Sequence, residues 1–344
     1  MAIFWTDEKI ELLKTYLQMG LNNKNIALKM NSTYDAVSNA IKRYNLQQFK
    51  TVEPRIQKMA QDLNLEELND NNFIKDKEQA KLKWNISKSK VSNSSKKEFE
   101  IGLIWPDTHI PHQNDNAVKA VLKLMDDVKF DKFINIGDYL DYGCISHWTK
   151  NKRKTLEMQR LKKDYILGNS LLDQIDSKLP KNCDKHFLYG NHEVWINDLL
   201  EEMPQLEGLI EPESQLFLKE RGYKIYQYND ILKIGKLNIV HGMYVGGNPV
   251  KKHLDELKVN ILFGHTHTMA LMLSNSPARE IAFSGYNIGC LCDLNPDYMR
   301  GRAHAWSHGF AVVYFFPDGS FDVKLVRILD GKFIFNNKVY DGNK

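Results

Sequence analysis

Carboxylate, amide and imidazole side chains recur at one kind of position in this sequence, directly after a short apolar run. The metal-ligand types at these positions are Asp107, His109, Asp138, Asn191, His241, His265 and His267. Oxygen and imidazole donors without a thiolate suit divalent ions such as Mn²⁺, Fe²⁺, Zn²⁺ or Ni²⁺. Seven such groups are more than one ion can use beside substrate and water. The set therefore predicts two ions that share a carboxylate, roughly 3.5–4 Å apart, as in metal-assisted hydrolysis of phosphate esters.

The apolar runs before these side chains have the length of buried β-strands. They are Ile101–Trp105, Phe133–Ile136, Phe187–Tyr189, Leu237–Val240 and Val259–Phe263. Helical patterns over residues 115–127, 154–179 and 249–258 lie between some of them, and this alternation indicates an α/β fold. Phe310–Phe316 and Phe321–Ile328, joined by a Pro-Asp-Gly turn, predict a hairpin. Because open α/β sheets hold their sites at one rim, we expect the polar side chains to meet there.

In order along the chain, the motifs are Asp-x-His, Gly-Asp-x-x-Asp, Gly-Asn-His-Glu, a single His and Gly-His-x-His, spread over residues 107–267. This ordered set closely resembles the calcineurin-like metallophosphoesterase superfamily, and the resemblance extends from Glu98 to the C-terminus. It implies an α/β fold in which two mixed β-sheets form a sandwich flanked by helices. It also implies a phosphoric ester hydrolase with two divalent metal ions. We expect manganese first, with iron, zinc or nickel as alternatives.

The resemblance implies a role for each motif position. The first metal ion would be bound by Asp107, His109 and His267, and the second by Asn191, His241 and His265. Asp138 would bridge the two ions. His192 would contact the phosphate and protonate the leaving oxygen, and Asp141 would support the site without binding a metal ion. Glu193 stands where many relatives have aspartate. Because no motif position is missing, we expect an active enzyme.

The other histidines and a cysteine pair carry weaker signals. Four histidines near or after the motif segments are candidates for lining a substrate groove: His112, His147, His304 and His308. His186 and His253 are expected to be structural or surface groups. Cys290 and Cys292 are two thiols without further thiol partners, so a buried strand edge is favoured over a metal site.

Residues 1–46 predict a separate helical unit. Thr6 can cap a first helix that Gly20 ends, a second helix covers about residues 23–30, and Ser32 with Asp35 resembles a capping box before a third. Three short helices outline a helix-turn-helix, and the string resembles the Myb-like and homeodomain-like DNA-binding families. DNA binding is favoured, and a protein-interaction bundle is the alternative. The exposed positions of the third helix, which would enter the major groove, are Thr33, Tyr34, Ser38, Asn39, Lys42 and Arg43.

A polar segment, residues 47–97, connects this unit to the predicted phosphoesterase domain, residues 98–344. Six lysines and no acidic residue lie between Gln79 and Lys97, a composition that is typical of a solvated tether. Within the segment, residues 53–68 are a candidate helix.

The composition limits the class of protein. The 344 residues carry a formal net charge of +4, from 47 Lys and Arg against 43 Asp and Glu, so any polyanion-binding surface must be local. No apolar run approaches the roughly 18 residues of a membrane span, and the first residues lack a secretory leader pattern. Four cysteines make no disulfide framework and favour a reducing cytoplasm. A resemblance of the domain pairing to bacteriophage proteins implies that this is the cytoplasm of a bacterial host cell. We expect no membrane partner, and the oligomeric state stays open.

These features predict a DNA-directed phosphodiesterase or nuclease in a domain pairing that looks similar to proteins of bacteriophages and prophages. One alternative is a phosphomonoesterase, or a nucleotide or cyclic-nucleotide hydrolase, that the N-terminal unit localises. Another is a DNA-binding regulator whose large domain senses a nucleotide or a metal. The motifs define the reaction type more closely than the substrate, because the walls of a substrate groove carry no motif.

Overall fold

The computed structural model describes residues 5–18, 21, 23–47, 86–89, 97–146, 149, 156–276, 281–296, 299 and 301–344. The chain divides into two compact units, Met1–Lys83 and Trp84–Lys344. Gly20, His147 and the candidate helix over residues 53–68 lie outside the described residues. Among the helices that are described, none combines the length and apolar character that crossing a membrane requires.

In its described residues, the small unit contains the three helices α1 (Asp7–Gln18), α2 (Asn23–Lys29) and α3 (Tyr34–Arg43). Apolar side chains at three- and four-residue spacing place one face of each helix in a common core. The buried members of this core are Leu13, Leu17, Ile26, Ala27, Val37, Ala40, Ile41 and Leu46. The predicted three-helix organisation is therefore confirmed, whereas DNA binding stays a prediction.

Thr33 caps α3, which corrects the expectation that Ser32 does so. Thr33 has extended backbone angles, φ −97° and ψ 156°, and its Oγ1 accepts the backbone N–H of Ala36 at 3.2 Å. Such a bond satisfies one of the N–H groups that the first helical turn leaves unpaired. Ser32 lies one residue too early, and its buried Oγ has no hydrogen-bond partner among the described residues.

The large unit is built mainly of strands. Its strands are β1 (Ile86–Ser89), β2 (Glu100–Trp105), β3 (Lys132–Asn135), β4 (Asp184–Leu188), β5 (Tyr223–Tyr226), β6 (Ile231–Ile234), β7 (Leu237–Ile239), β8 (Asn260–Phe263), β9 (Met269–Ser276), β10 (Ile281–Ile288), β11 (Gly309–Phe315), β12 (Phe321–Arg327), β13 (Lys332–Phe335) and β14 (Lys338–Asp341). Its helices are α4 (Asp115–Asp127), α5 (Leu161–Lys178), α6 (Asn191–Glu202), α7 (Pro212–Gln215) and α8 (Pro249–Leu257). The five predicted strands correspond to β2, β3, β4, β7 and β8, and the predicted hairpin corresponds to β11 and β12.

Two six-stranded mixed sheets form the centre of this unit. The first has the order β12-β11-β2-β3-β4-β5, in which β2 to β5 run parallel and β11 and β12 pair antiparallel. The second has the order β1-β6-β7-β8-β10-β9 and combines parallel and antiparallel pairs. The predicted α/β sandwich of two mixed sheets flanked by helices is therefore confirmed.

Both faces of the first sheet are buried. Leu103 and Phe133 pack in the core that includes helices α4 and α5, whereas Ile104 and Ile134 pack with side chains of the second sheet. Successive side chains of a strand point to opposite faces, so neighbours in the sequence join different cores. This explains why the runs before the motifs are apolar throughout rather than alternating.

Strand β1 corrects the predicted boundary of the linker. It pairs in parallel with β6, from Ile86 opposite Ile231 to Ser89 opposite Ile234. Ser89 Oγ also donates to Asp184 Oδ2 at 3.0 Å. This strand lies within the lysine-rich end of the segment, which was expected to be a solvated tether. Its Ser and Lys side chains conceal it in the sequence, because an edge strand can leave much of its surface to solvent.

Candidate metal centre

The side chains that were predicted to bind metal meet at one rim of the sandwich. Asp107 and Asp138 follow β2 and β3, and Asn191 opens α6 after β4. The second sheet supplies His241 after β7 and His265 after β8. The two sheets contact each other here, where the backbone N–H of His265 donates to Asp107 Oδ2 at 3.0 Å. The rim expected from the strand ends is therefore present.

A first cluster combines two imidazoles and a carboxylate. The Nε2 atoms of His109 and His267 are 3.2 Å apart, and His267 Nε2 lies 3.2 Å from Asp107 Oδ2. Asp138 Oδ2 adjoins the cluster at 3.7 Å from His109 Nε2. All four residues are buried, so bulk water screens their charges little.

A second cluster surrounds His241 Nε2. This atom lies 3.0 Å from Asn191 Oδ1, 3.1 Å from His265 Nδ1 and 3.3 Å from Asp138 Oδ2. The same carboxylate oxygen of Asp138 thus adjoins both clusters. The structure brings all seven predicted side chains together, in two groups that share one carboxylate.

Hydrogen bonds on the outer side of two rings determine which nitrogen points into the clusters. His241 Nδ1–H donates to the Ile136 carbonyl at 2.9 Å, and His109 Nδ1–H donates to Asp141 Oδ1 at 3.1 Å. Since a carbonyl or an ionised carboxylate can only accept, Nδ1 carries the proton of the neutral ring, and Nε2 of that form offers its lone pair. Nitrogens that face each other, such as Nε2 of His109 and His267, then repel unless a cation lies between them. The donor set fits divalent metal ions.

Left-handed backbone conformations concentrate in these residues. The φ angles are 50° at His109, 47° at Asp138, 63° at His265 and 57° at His267. Such values are uncommon for residues other than glycine and cost roughly 1–3 kcal/mol each. Strain that gathers at one site indicates that the direction of these side chains matters for function.

Two motif glycines allow the loops to approach the carboxylates closely. A Cβ atom at Gly190 would overlap Asp138 Oδ1, and a Cβ atom at Gly264 would overlap Asp107 Oδ1. Only a residue without a side chain fits these two positions.

Glu193 connects two of the loops that bear these side chains. Its buried carboxylate accepts the backbone N–H of Gly190 at 2.7 Å, of Asp138 at 3.0 Å and of Tyr139 at 3.0 Å. Burial, together with the charge of Asp138, raises the pKa of Glu193 to about 7. The sequence marks Glu193 only as a motif position and does not reveal this role. The available signal is its place three residues after Gly190, which is the spacing of a capping box.

His192 lies beside the shared carboxylate. Its Nδ1–H donates to the Asp141 carbonyl at 2.6 Å, and its backbone N–H donates to Asp138 Oδ1 at 2.9 Å. The indole of Trp195 packs on the imidazole with 3.9 Å between ring centroids. Burial lowers the pKa of His192. Asp141 therefore orients two rings at once, His192 through its carbonyl and His109 through its carboxylate.

The carboxylates and imidazoles of the two clusters stabilise each other's charged forms. Burial alone would raise the pKa of Asp138, but the charges of His241 and His192 hold it well below its usual range. Burial alone would lower the pKa of His241, yet the Asp138 carboxylate raises it to about 9. Burial lowers the pKa of His265 to about 4, and the charge of His241 adds to this effect. An ionised carboxylate among imidazoles favours a cation, and a divalent ion held by these residues would take the place of the imidazole protons.

His253 and His186 were expected to be structural or surface groups, and the structure places both inside the large unit. His253 Nδ1–H donates to the Pro249 carbonyl at 2.7 Å, and its Nε2 accepts the backbone N–H of Met243 at 3.0 Å. His186 is buried, and its Nδ1 lies 2.8 Å from the Tyr226 hydroxyl oxygen. Both rings serve packing and hydrogen bonding inside the large unit.

Cys290 and Cys292 are buried, as expected for a strand edge, but Cys292 also adjoins the first cluster. Its Sγ lies 3.8 Å from His267 Nδ1, a contact that the sequence does not reveal. His112 Nε2 lies 3.7 Å from Asp141 Oδ2, with 51 % of the His112 side chain exposed. The other two described groove candidates adjoin neighbouring residues: His304 accepts the Trp306 N–H, and His308 donates to the Cys292 carbonyl.

Helix α3 of the small unit carries the predicted DNA contacts on its surface. Ser38 is half-buried, and the other five are exposed: Thr33, Tyr34, Asn39, Lys42 and Arg43. Since the Thr33 hydroxyl caps the helix, it contributes to the fold whether or not DNA binds.

The family model described as Calcineurin-like phosphoesterase matches residues 103–269. The large unit therefore carries a calcineurin-like phosphoesterase domain. This domain is a metal-dependent hydrolase of phosphate esters, and the matched range contains every predicted catalytic and metal-binding position, from Asp107 to His267.

Two phage proteins and one solved structure are similar to the chain that carries this phosphoesterase domain. The Gene 54 protein of Mycobacterium phage L5 is 25% identical over 268 residues, which cover 70% of this chain and 98% of that protein. The Gene 54 protein of Mycobacterium phage D29 is 24% identical over 257 residues, with coverage of 70% and 98%. Vacuolar Protein Sorting 29 from Cryptosporidium parvum is 12% identical with a TM-score of 0.38, covering 71% of this chain and 96% of that chain.

Proposed function

We propose that the chain is a two-metal phosphodiesterase that acts on DNA, with a role in phage or prophage DNA metabolism in the host cytoplasm. The observation that carries this proposal is the shared oxygen of Asp138, 3.7 Å from His109 Nε2 and 3.3 Å from His241 Nε2. One carboxylate between two groups of donors supports a pair of ions, and such a pair suits phosphoryl transfer. The likeness to two mycobacteriophage proteins supports the phage setting.

Each cluster would hold one ion in this proposal. The first site would consist of Asp107, His109 and His267, and the second of Asn191, His241 and His265. The carboxylate of Asp138 would be shared by the two sites. When bound, the two ions lower the pKa of a water and neutralise charge on the phosphate oxygens. Manganese is the first expectation for a set of oxygen and imidazole donors, with iron, zinc or nickel as alternatives.

His192 would protonate the leaving oxygen. Because its Nδ1–H is held by the Asp141 carbonyl, Nε2 is the atom that takes up and releases a proton. Its lowered pKa favours release of that proton at neutral pH. Trp195 covers one face of the imidazole and keeps water from that side.

The small unit supports DNA as the substrate. Residues 1–50 carry a net charge of +3, and α3 ends in the exposed pair Lys42 and Arg43 beside the exposed Asn39. Arg and Lys side chains hold phosphates, whereas Asn can read a base edge in the major groove. The unit would then raise the concentration of the phosphoesterase domain at bound DNA.

Turnover of a substrate panel by the full-length chain tests this function. The panel contains single- and double-stranded DNA, a small phosphodiester, a phosphomonoester and a cyclic nucleotide, each with Mn²⁺, Fe²⁺, Zn²⁺ or Ni²⁺. We expect DNA and the small diester to be hydrolysed fastest. Preference for the monoester or the cyclic nucleotide would contradict the proposal and favour the alternative of a localised nucleotide hydrolase.

Two variants separate metal binding from proton transfer. Asp138→Asn is expected to abolish turnover and weaken metal binding, because the shared carboxylate is lost. His192→Ala is expected to keep metal binding but lose about 10²–10⁴-fold in kcat, the usual contribution of a positioned acid. Asp198→Asn, at an exposed position of α6, is the matched control and should behave as wild type. Full biological effect in a His192→Ala variant without turnover would favour the DNA-binding regulator instead.

A further inference from the structure

A cavity of about 300 Å³ is lined by Trp306, a residue that contacts the first cluster. The Trp306 ring separates the cavity from this cluster and contacts His267 edge to face with 4.2 Å between ring centroids. The next residue, Ser307, donates its backbone N–H to the His267 carbonyl at 2.8 Å. A ligand in the cavity would therefore lie one side chain away from a proposed metal ligand.

Polar side chains from separate parts of the chain build one wall of this cavity. Asn116 Nδ2 donates to Asn343 Oδ1 at 2.8 Å, and Asn343 Nδ2 donates to the Asp330 carbonyl at 2.8 Å. These bonds fix the amides in advance, so a ligand would order few side chains on binding. Within the described part of the chain, no hydrogen bond engages Asn116 Oδ1 or the Nδ2 of Asn114, whose Oδ1 caps α4.

Arg327 brings a positive charge to the cavity. It ends β12, is exposed and lines the cavity, and it forms no ion pair with the described residues. Lys324, three residues earlier on the same strand, is instead paired with Asp322 at 2.6 Å and does not line the cavity. A guanidinium without an acidic partner offers its N–H donors to a ligand.

An indole ring, amide groups and a guanidinium are the groups with which proteins stack and read nucleobases. A volume of about 300 Å³ is at the lower end of ligand pockets, roughly 300–1,000 Å³, and suits one nucleoside better than a peptide or a duplex. We propose that this cavity is a nucleoside subsite that holds the nucleotide next to the scissile phosphate. The inference rests on the proposed phosphodiesterase function and adds recognition of a base beside the reacting phosphate.

Binding of a free nucleoside tests the cavity independently of turnover. Deoxyguanosine and deoxyribose both lack the phosphate that would bind at the metal centre. Equilibrium dialysis of each against the Mn²⁺-loaded full chain therefore measures what the base contributes to binding. Guanine is the chosen base because arginine pairs with its O6 and N7 edge. We expect deoxyguanosine to bind at least about ten-fold more tightly than deoxyribose. Equal affinities, or no binding of either, would overturn the proposal.

Arg327→Gln and the matched control Lys324→Gln remove one positive charge each from the same strand. We expect Arg327→Gln to weaken deoxyguanosine binding about ten-fold, the loss of one charge-assisted contact, and Lys324→Gln to leave it unchanged. Equal affinity in both variants and wild type would overturn the role of Arg327 and with it the subsite.

Kinetics distinguish failure of the subsite from failure of the proposed function. The substrates are the p-nitrophenyl diester of deoxyguanosine 5′-monophosphate and bis(p-nitrophenyl) phosphate, which has no nucleoside. Arg327→Gln should raise KM about ten-fold for the nucleoside ester only, with kcat unchanged for both. An equal change for both esters would overturn the subsite. If the wild type hydrolyses neither ester, the phosphodiesterase proposal fails, and the dialysis result still decides whether the cavity binds a nucleoside.

Discussion

Glu193 lies between the loops that carry Asp138 and Asn191, and its carboxylate accepts backbone N–H groups from Gly190, Asp138 and Tyr139. Glutamine has one acceptor oxygen and would turn its own NH₂ group toward at least one of these donors. An unpaired buried N–H costs about 1–3 kcal/mol. We expect Glu193→Gln to lower the free energy of unfolding by about that amount and to lower kcat for a small diester at least about ten-fold.

The matched control for this prediction is Glu201→Gln. Glu201 lies on the same helix, α6, and is exposed. The same change of charge there should leave urea denaturation and diester kinetics at wild-type values. If Glu193→Gln were as stable and as active as the control, the three hydrogen bonds of Glu193 would not be what holds the two loops.

Gly190 tests the close approach of the loops to the shared carboxylate. A methyl group at this position would overlap Asp138 Oδ1, so Asp138 has to move. Because small displacements of reacting groups can cost about 10²-fold in rate, we expect Gly190→Ala to lose about that much in kcat. Gly246→Ala is the control, since a Cβ there meets nothing within 4 Å. Equal activity of the two variants in a diester assay would contradict the steric argument.

The sequence predicts the site residues that belong to short motifs, but it does not reveal the contacts that these residues make with residues far away in the chain. The ligand types could be named because each follows an apolar run directly. The bond from Asp138 N–H to Glu193 spans 55 residues, and the contact of Cys292 with His267 spans 25. No local pattern encodes such pairs, because they depend on how strands far apart in the chain become neighbours.

Helix α5 carries an unusual acid in its first turn. Asp164 is only 5 % exposed, and burial, with the charge of Asp141, raises its pKa to about 6. The unfolded chain keeps a pKa of about 3.9. Between about pH 4 and pH 6, Asp164 ionises more readily in the unfolded chain than in the folded one, so the fold becomes less stable as the pH rises. Above about pH 6 this loss of stability stays constant.

Asp164→Asn should remove this pH dependence. The amide does not titrate, so we expect the variant to exceed the wild type by about 1–3 kcal/mol in unfolding free energy at pH 8 and to show no advantage at pH 4. Urea denaturation at both pH values measures the difference, and Asp198→Asn on α6 is the exposed control. An advantage of equal size at both pH values would show that the effect does not come from ionisation.

Continuous apolar runs in the sequence predict strands that are covered on both faces. Strands β2 and β3 form continuous apolar runs, because one face packs on helices and the other on the second sheet. Strand β9 is a sheet edge with Leu271 and Leu273 exposed, and β1 is a short edge of Ser and Lys residues. The partners of β1 and β9 come from the sheet and not from a pattern of their own, so apolar runs do not predict these two strands. The edge strand β12 is predicted because a Pro-Asp-Gly turn joins it to the apolar β11.

The two compact units divide the chain at residues 83 and 84, whereas the sequence suggests a boundary at 97 and 98. The difference is the stretch that contains β1. Strand β1 pairs with β6, and β6 pairs with β7, the strand that His241 follows. Strand β1 therefore supports the sheet that positions His241. The placement of that boundary therefore has consequences for the stability of the phosphoesterase domain.

Two shortened chains test this boundary and the role of the small unit together. A chain of residues 84–344 keeps β1, and a chain of residues 98–344 loses it and exposes the backbone edge of β6. If α3 binds DNA as proposed, both should bind DNA more weakly and with less dependence on salt than the full chain, because both lack α3. Only the shorter one should lose stability, by about 2–4 kcal/mol for a ladder of hydrogen bonds worth about 1 kcal/mol each.

Thermal unfolding and a DNA-binding titration over a range of salt concentrations measure the two effects separately. Since 1 kcal/mol shifts Tm by about 2–4 °C in a domain of this size, the shorter chain should melt several degrees below the longer one. Equal melting temperatures would mean that β1 contributes nothing to the second sheet. Unchanged DNA affinity in both chains would move DNA recognition from α3 to the phosphoesterase domain itself, where the cavity lined by Trp306 and Arg327 becomes the first surface to test.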